Sequence, residues 1–390
     1  MAREPAKILV VDDEPDLEPL ILQRFMEEIR RQKYTFLFAE NGAEALKALE
    51  RERNIQAVLT DLNMPVMDGL TLLSQLEGKD ALLKAVVISA YGDMKNIRAA
   101  MNRGAFDFIT KPIDFNDLRI TIEKTLKEVR RSQDAMSARD SLLLLQHELD
   151  SANRIQQSLL PQVFPPFPDR NEFDIRARML PAHNVGGDLY DFFLIDDKQL
   201  GFVIGDVCGK GMPAALYMAV VRTLVKAYGL SGLPPGECVK RVNVLLQSEN
   251  ESNLFVTLFY GVLHTTTGEV YYSNAGHDAP YHLRPDGSLT ELERTGDLVA
   301  GVREKQEYHT YAVQLQPQDT LVLYTDGVTE AMNAQQKMYG SQRFEIALKR
   351  AAAQPLMTLV NGIYADVAEY VGNAPQHDDI TVLALRYLGE

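Results

Sequence analysis

Only two cysteines, Cys208 and Cys238, occur in 390 residues. Two thiols cannot make a disulfide framework, which points to a reducing, cytoplasmic setting. Basic residues are also in deficit. Lys and Arg number 40 against 54 Asp and Glu, leaving a formal charge of -14. That balance argues against nonspecific nucleic-acid binding, which needs a basic footprint, and the C-terminal half offers no basic recognition helix. No apolar run is long enough to span a bilayer. The first residues, Met1-Ala2-Arg3-Glu4-Pro5, lead into a strand pattern rather than an apolar secretory segment. Neither nucleic acid nor membrane is therefore an expected partner. Finally, residues 116–160 lack glycine, and no proline stands between Pro112 and Pro161. With its Leu, Glu, Arg and Gln content, that stretch is expected to be one long helix.

What is present divides the chain in three. An apolar fraction of 46% fits a globular protein, and 390 residues exceed one ordinary core. Residues 1–121 alternate short apolar runs (Lys7–Val11, Thr35–Ala39, Ala57–Thr60, Ala85–Ser89, Asp107–Ile109) with amphipathic stretches. This spacing predicts an α/β domain with a doubly wound, five-stranded parallel sheet. Residues 122–160 carry apolar positions Ile122, Leu126, Val129 and Met136, then Leu142, Leu145, Leu149, Ala152 and Leu159 in a shifted phase. They are expected to form a helical coiled-coil linker that dimerises the chain. The proline-rich segment from Pro161 to Pro168 ends that helix. Residues 161–390 then read as strands and hairpins with turns at Asp196-Asp197-Lys198, Thr265–Gly268 and Pro285-Asp286-Gly287. Helices are expected near 212–228, 236–249, 341–351 and 356–371, giving an α+β sandwich.

In a doubly wound sheet, ligands sit beyond the carboxyl ends of the strands. Asp12, Asp13, Asp61, Ser89 and Lys111 all fall at such ends. A carboxylate that accepts a phosphoryl group needs a divalent cation, further acids to hold it, and a lysine and a hydroxyl for the new phosphoryl oxygens. Asp61 suits the nucleophile, Asp12 and Asp13 the metal, and Lys111 and Ser89 the phosphoryl oxygens. Any one of these acids alone is most simply a turn residue. Five fitting residue types at consecutive strand ends are not so explained. The segments ILVVDD (Ile8–Asp13), DLNMPVMDG (Asp61–Gly69), VISA (Val87–Ala90) and Lys111-Pro112 resemble the receiver domain of two-component response regulators. The resemblance implies phosphorylation of Asp61 by a histidine kinase. It also implies Mg²⁺ held by Asp13, Asp61 and the carbonyl of Asn63, and a cis peptide before Pro112. Ser89, Phe108 and Lys111 take the switch positions, with Phe108 lacking the hydroxyl of the commoner tyrosine.

A second acidic set comprises Asp188, Asp206, Asp326, Asp378 and Asp379. Hydrolysis of a phosphoserine or phosphothreonine needs a water made nucleophilic at neutral pH, which two divalent ions ~4 Å apart can supply. All-carboxylate ligands favour Mg²⁺ or Mn²⁺ over zinc. Glycine adjoins Asp188, Asp206 and Asp326, allowing close backbone approach. Singly, each Asp-Gly pair is more simply a turn. The ordered set VGGDLYD (Val185–Asp191), GDVCGKGMPAA (Gly205–Ala215), NAGH (Asn274–His277), YTDGVTEA (Tyr324–Ala331) and HDDITV (His377–Val382) resembles the metal-dependent protein phosphatase (PPM) family, in its bacterial sporulation and stress-response branch. The resemblance implies Ser/Thr phosphatase activity with two Mn²⁺ or Mg²⁺ on Asp188, Asp206, Asp326 and Asp378. The carbonyl of Val207 assists, and Asp379 is the weaker neighbour. It further implies a phosphorylated anti-sigma-factor antagonist as substrate. Cys208 is expected to be a small buried hydrophobe, His277 a structural histidine, and Lys210 either a phosphate contact or a solvated lysine.

Together these readings describe a response regulator with a phosphatase output, in which phosphorylation of Asp61 changes the linker helix and repositions the 212–249 helices. The rival class is a non-catalytic adaptor that uses the phosphatase fold as a binding surface. Retention of the four acids ranks it second.

Overall fold

A computed structural model describes residues 4–78, 80, 82–90, 93–248 and 253–389. The chain divides into two compact units, Met1–Leu145 and Gln146–Glu390. In the first, β1 (Ala6–Val11), β2 (Tyr34–Ala39), β3 (Ile55–Asp61), β4 (Lys84–Ala90) and β5 (Asp107–Lys111) form one sheet in the order β2-β1-β3-β4-β5. Every pairing is parallel. Alternation splits the central strands between two cores. Ile8, Val10, Leu59 and Ile88 face one layer of helices, and Leu9, Val11, Val58 and Val87 face the other. Burial on both faces is why these runs are almost wholly apolar. The helices are α1 (Leu17–Arg24), α2 (Met26–Arg30), α3 (Gly42–Arg51), α4 (Gly69–Leu76) and α5 (Met94–Asn102). Two begin on side-chain caps: Asn41 accepts from the Ala43 and Glu44 amides, and Asp68 from the Thr71 amide.

The long helix α6 runs unbroken from Phe115 to Leu159. Its first turns bury Leu118, Ile122 and Leu126 in the sheet's core, so these positions pack intramolecularly rather than forming a free seam. Further on, Leu142, Leu143, Leu144 and Leu145 are all more than half exposed.

The second unit contains two five-stranded antiparallel sheets. Its elements are β6 (Phe173–Leu180), β7 (Leu189–Asp196), β8 (Gln199–Val207), α7 (Met212–Gly229), α8 (Pro235–Ser248), β9 (Val256–His264), β10 (Glu269–Ala275), β11 (Tyr281–Leu283), β12 (Leu289–Glu291), β13 (Tyr311–Gln314), β14 (Thr320–Tyr324), α9 (Ser341–Ala351), α10 (Leu356–Val371) and β15 (Ile380–Tyr387). The sheet orders are β13-β10-β9-β8-β7 and β12-β11-β14-β15-β6. Phe202, Ile204 and Phe259 of one sheet meet Leu321, Leu323, Leu383 and Leu385 of the other. The outer faces are covered by helices: α7 and α8 pack through Met218, Val221, Val225 and Val242, and α9 and α10 through Phe344, Leu359 and Ile363. The three expected turns join β7 to β8, β9 to β10 and β11 to β12. Strand β6 was not foreseen. It alternates apolar with charged residues (Phe173, Ile175, Ala177 against Asp174, Arg176, Arg178) immediately after the proline-rich segment. No helix among the described residues is long and apolar enough to cross a membrane.

Candidate functional site

The parallel sheet gathers the first cluster at its carboxyl edge. Asp61 ends β3, Lys111 ends β5, and Asp12 follows β1 directly. Asp12, Asp13 and Asp61 each place a carboxylate oxygen within 4.8 Å of the others, with Asp13 exposed and the other two buried. The Lys111 ammonium lies 2.5 Å from Asp61 Oδ2, 2.8 Å from Glu14 Oε1 and 3.1 Å from Asp12 Oδ2. Burial opposes the charge on Lys111, yet its bonds to Asp61, Glu14 and Asp12 outweigh burial and raise its pKa. Burial likewise raises Asp12, against the Glu14 amide and Lys111. The Asn63 amide donates to Asp61 Oδ1 at 3.1 Å. Ser89 is fully buried, with Oγ 3.5 Å from Asp93 Oδ2. Phe108 is 39% exposed. The Lys111-Pro112 peptide is cis. Glu14, unremarked in the sequence, is the added acid. Its only sequence signal is that it follows Asp12-Asp13.

The second cluster follows from antiparallel pairing. Asp188 precedes β7, and Asp206 lies one residue from the end of the neighbouring β8. Asp326 lies two residues past β14, while Asp378 and Asp379 precede the neighbouring β15. Adjacent antiparallel strands start and finish at the same edge, so residues far apart in sequence share one rim of the sandwich.

Asp188 is almost fully buried. Burial raises its pKa first, followed by the charges of Asp206 and Asp379; hydrogen bonds from Thr381 and Thr325 work the other way. Thr325 Oγ1 donates to Asp188 Oδ2 at 2.8 Å, and Thr381 Oγ1 donates to the same oxygen. Asp206 is pushed up to about 7 by burial and by Asp326, Asp378 and Asp379. Asp326 is pushed up to about 6 by burial, then Glu330, Asp378 and Asp278. Carboxylates whose pKa is raised by neighbouring carboxylates are a concentration of negative charge that favours a cation. Among the described residues, the only ammonium paired with any of these acids is Lys210, 3.1 Å from Asp378 Oδ2. Its other contact is the His377 carbonyl. Hard oxygen donors carrying excess charge fit Mg²⁺ or Mn²⁺.

Two glycines show how tightly the rim is built. A Cβ on Gly327 would lie 1.9 Å from the Asp379 carbonyl oxygen, and one on Gly187 would lie 2.8 Å from the Val207 carbonyl oxygen. Asp379 serves the backbone. Its Oδ1 accepts from the Ala182 amide at 2.8 Å, and its Oδ2 from the Gly187 and Asp188 amides at 2.7 and 3.4 Å. Asp378 has no such duty to the 182–188 loop.

Three other residues have settled roles. His277 is buried and neutral, lowered to about 4 chiefly by burial, with Nδ1 2.8 Å from Thr257 Oγ1. Its amide donates to Asn274 Oδ1. Cys208 departs from expectation: it is only partly buried, because Sγ accepts the Phe255 amide at the sheet edge. Cys238 is the fully buried thiol. The sequence reading passed over Thr325, Thr381 and Gln156, although the two threonines lie within the TDG and DDIT segments. An apolar cavity of about 350 Å³, lined in part by Leu180, Met332, Val367 and Val371, opens beside Lys210 and Asp378.

Comparisons with known proteins bear on the two domains. Residues 8–123 match the response regulator receiver domain family, and residues 196–388 match the family of stage II sporulation protein E, SpoIIE. Protein IcfG of Synechocystis is 31% identical over 265 residues, covering 61% of this chain but only 41% of IcfG. The phosphoserine phosphatase RsbU of Bacillus subtilis is 27% identical over 273 residues, covering 70% of this chain and 79% of RsbU. Among solved structures, the SiaA-PP2C domain of Pseudomonas aeruginosa superposes with a TM-score of 0.56 at 24% identity. That match covers 63% of this chain and 98% of the domain, and it supports the fold. The chain therefore joins a response regulator receiver domain to a phosphatase domain of the SpoIIE type.

Proposed function

We propose that the second unit is a metal-dependent protein serine/threonine phosphatase whose activity is set by phosphorylation of Asp61. The observation that carries this reading is the gathering of Asp188, Asp206, Asp326 and Asp378 at one rim by the ends of neighbouring antiparallel strands, where nearby carboxylates raise the pKa of Asp188, Asp206 and Asp326. Asp188, Asp206, Asp326, Asp378 and the Val207 carbonyl would hold two Mn²⁺ or Mg²⁺ ions. Such ions, when bound, supply an activated water nucleophile near neutral pH. The chain's own residues do the rest. Thr325 and Thr381 orient the Asp188 carboxylate. Asp379 holds the loop that carries it. Lys210 stands at the rim beside Asp378, where its ammonium can meet phosphoryl oxygens. His277, buried and neutral, holds the Asn274 turn and is assigned no proton transfer. The neighbouring apolar cavity leaves room for a substrate side chain beside the phosphate.

In the receiver, Asp12, Asp13, Asp61 and the Asn63 carbonyl would hold Mg²⁺ while a histidine kinase supplies the phosphoryl group. Exposed Leu142 and Leu145, three residues apart on one side of α6, offer apolar positions for a homodimer along the helix. RsbU is named a phosphoserine phosphatase. We carry that specificity to this chain, with a phosphorylated anti-sigma-factor antagonist as the substrate. The test is phosphate release from such a phosphoprotein by the full chain, with Mn²⁺ or EDTA, and with or without a phosphoryl mimic on Asp61. Turnover must require the cation and fall at least ~100-fold in Asp326→Asn. No release by the parent, with D326N indistinguishable from it, would leave the adaptor reading in its place.

A further inference from the structure

The loop that carries Asp188 is held by two side chains from opposite ends of the second unit. One is Asp379, which accepts the Ala182, Gly187 and Asp188 amides. The other is Gln156, in the last turns of α6. Gln156 is 4% exposed. Its Nε2 donates to the Gly186 carbonyl at 2.6 Å, and its Oε1 accepts the Gly186 amide at 3.0 Å. One carboxamide thus satisfies both polar groups of a single residue, as a neighbouring β-strand would. An amide pairing this way constrains position and orientation together. Gly186 has little room to adjust, since a Cβ there would lie 2.3 Å from Asp379 Oδ2. The backbone is therefore pinned between Gln156 on one side and Asp379 on the other, two residues before Asp188.

We infer that Gln156 is a positioning residue of the phosphatase site, fixing the Gly186-Gly187-Asp188 backbone to the connector helix so that Asp188 is aimed for metal binding. The inference rests on the reading of Asp188 as a metal ligand. The side chain touches neither substrate nor metal in this role. Its effect passes through Gly187, the one residue between Gly186 and Asp188. Asp379 is anchored in the sandwich itself, beside β15, whereas Gln156 belongs to the helix that continues from the receiver. Of the two clamps, only Gln156 can transmit a movement of α6 to the acidic rim. The second polar contact of these last turns, Asn184 Nδ2 to Asp150 Oδ1 at 3.4 Å, is exposed and weaker.

The test uses the full chain with Asp13→Asn to silence the receiver cation. Mn²⁺ binding is measured by calorimetry, and hydrogen exchange is followed in peptides covering 182–190. Gln156→Met keeps the side chain's length while removing both polar atoms. It is expected to weaken Mn²⁺ binding ~10-fold or more, in line with other residues that orient metal ligands. Exchange in the peptides covering 182–190 should accelerate more than elsewhere in the second unit, whereas a merely destabilising change would speed both alike. Asp150→Ala, which breaks the exposed contact, should bind Mn²⁺ like the parent. If Q156M folds poorly, Gln156→Glu, which sets a carboxylate oxygen against the Gly186 carbonyl, carries the same expectation. Mn²⁺ affinity within twofold of the parent in these variants overturns the inference. So does an equal loss in D150A, which would make the effect one of general helix docking. A parent that binds no Mn²⁺ at this unit would instead sink the metal-ligand reading of Asp188, and the positioning role with it.

Discussion

Replacing Asp379 by Asn sets two effects against each other at one buried site. The carboxylate accepts three backbone amides at 2.8, 2.7 and 3.4 Å and is 7% exposed. An asparagine offers a single acceptor oxygen. Either the Ala182 amide or the Gly187 and Asp188 amides must then face an NH₂ group. Hydrogen bonds to a charged acceptor contribute about 1.5–3 kcal/mol each, and a buried donor left without a partner costs about 1–3 kcal/mol. Acting in the opposite direction, removal of one negative charge relieves Asp188 and Asp206, whose pKa values Asp379 helps to raise. Each unit of relief returns about 1.4 kcal/mol. For both residues burial and another aspartate come ahead of Asp379 as causes, so the hydrogen-bond loss dominates. The expected net loss for the second unit is about 2–3 kcal/mol in EDTA. It should be larger with Mn²⁺, where bound cations already neutralise the repulsion. The chain has no tryptophan, so guanidinium unfolding is best followed by far-UV circular dichroism. Stability within about 0.5 kcal/mol of the parent in both conditions would refute the clamp role of Asp379.

Three further outcomes follow from other sites. His277 titrates near 6.5 when unfolded but is lowered to about 4 in the fold. The unfolded chain therefore binds the extra proton between those values, and stability is complete above pH 6.5 and declines as pH falls toward 4. The decline attributable to this residue is on the order of 3 kcal/mol, and His277→Gln should flatten the stability–pH profile across that window. Lys111→Met removes the ammonium shared by Asp12, Glu14 and Asp61. The receiver should lose about 2 kcal/mol without Mg²⁺ and regain most of it on adding Mg²⁺, read as a larger Mg²⁺-dependent rise in Tm than the parent shows. Gly327→Ala places a methyl 1.9 Å from a backbone oxygen that cannot swing aside. It should destabilise the second unit by about 3 kcal/mol or more and abolish Mn²⁺ binding in calorimetry, whereas the same change at the open Gly362 should leave binding intact.

Much of the organisation was legible because it is local. Short, almost wholly apolar runs and their interruptions placed the receiver strands, and a stretch without glycine or proline gave α6 nearly to the residue, 116–160 expected against Phe115–Leu159 observed. Asp12, Asp61 and Lys111 were recognisable as strand-end residues, since parallel strands in a wound sheet all deliver their carboxyl ends to one edge. The apolar periodicity of α6 carried less information. Ile122 and Leu126 look like seam residues but are covered by their own domain, because a heptad pattern does not say whose surface fills it.

That Asp379 braces the 182–188 loop was beyond sequence. Asp378 and Asp379 are neighbours of one type, yet β15 pairs antiparallel with both β14 and β6 and delivers only Asp379 to the amides of the 182–188 loop. Thr325, Thr381 and Gln156 acquire their roles through contacts 137, 193 and 30 residues away in the chain. Strand composition sets which segments pair and which faces are buried. Only the closed sandwich decides which side chains meet across the rim, because a hydrogen bond depends on ångström-scale distance and on angle, and neither is defined until the sheets have packed.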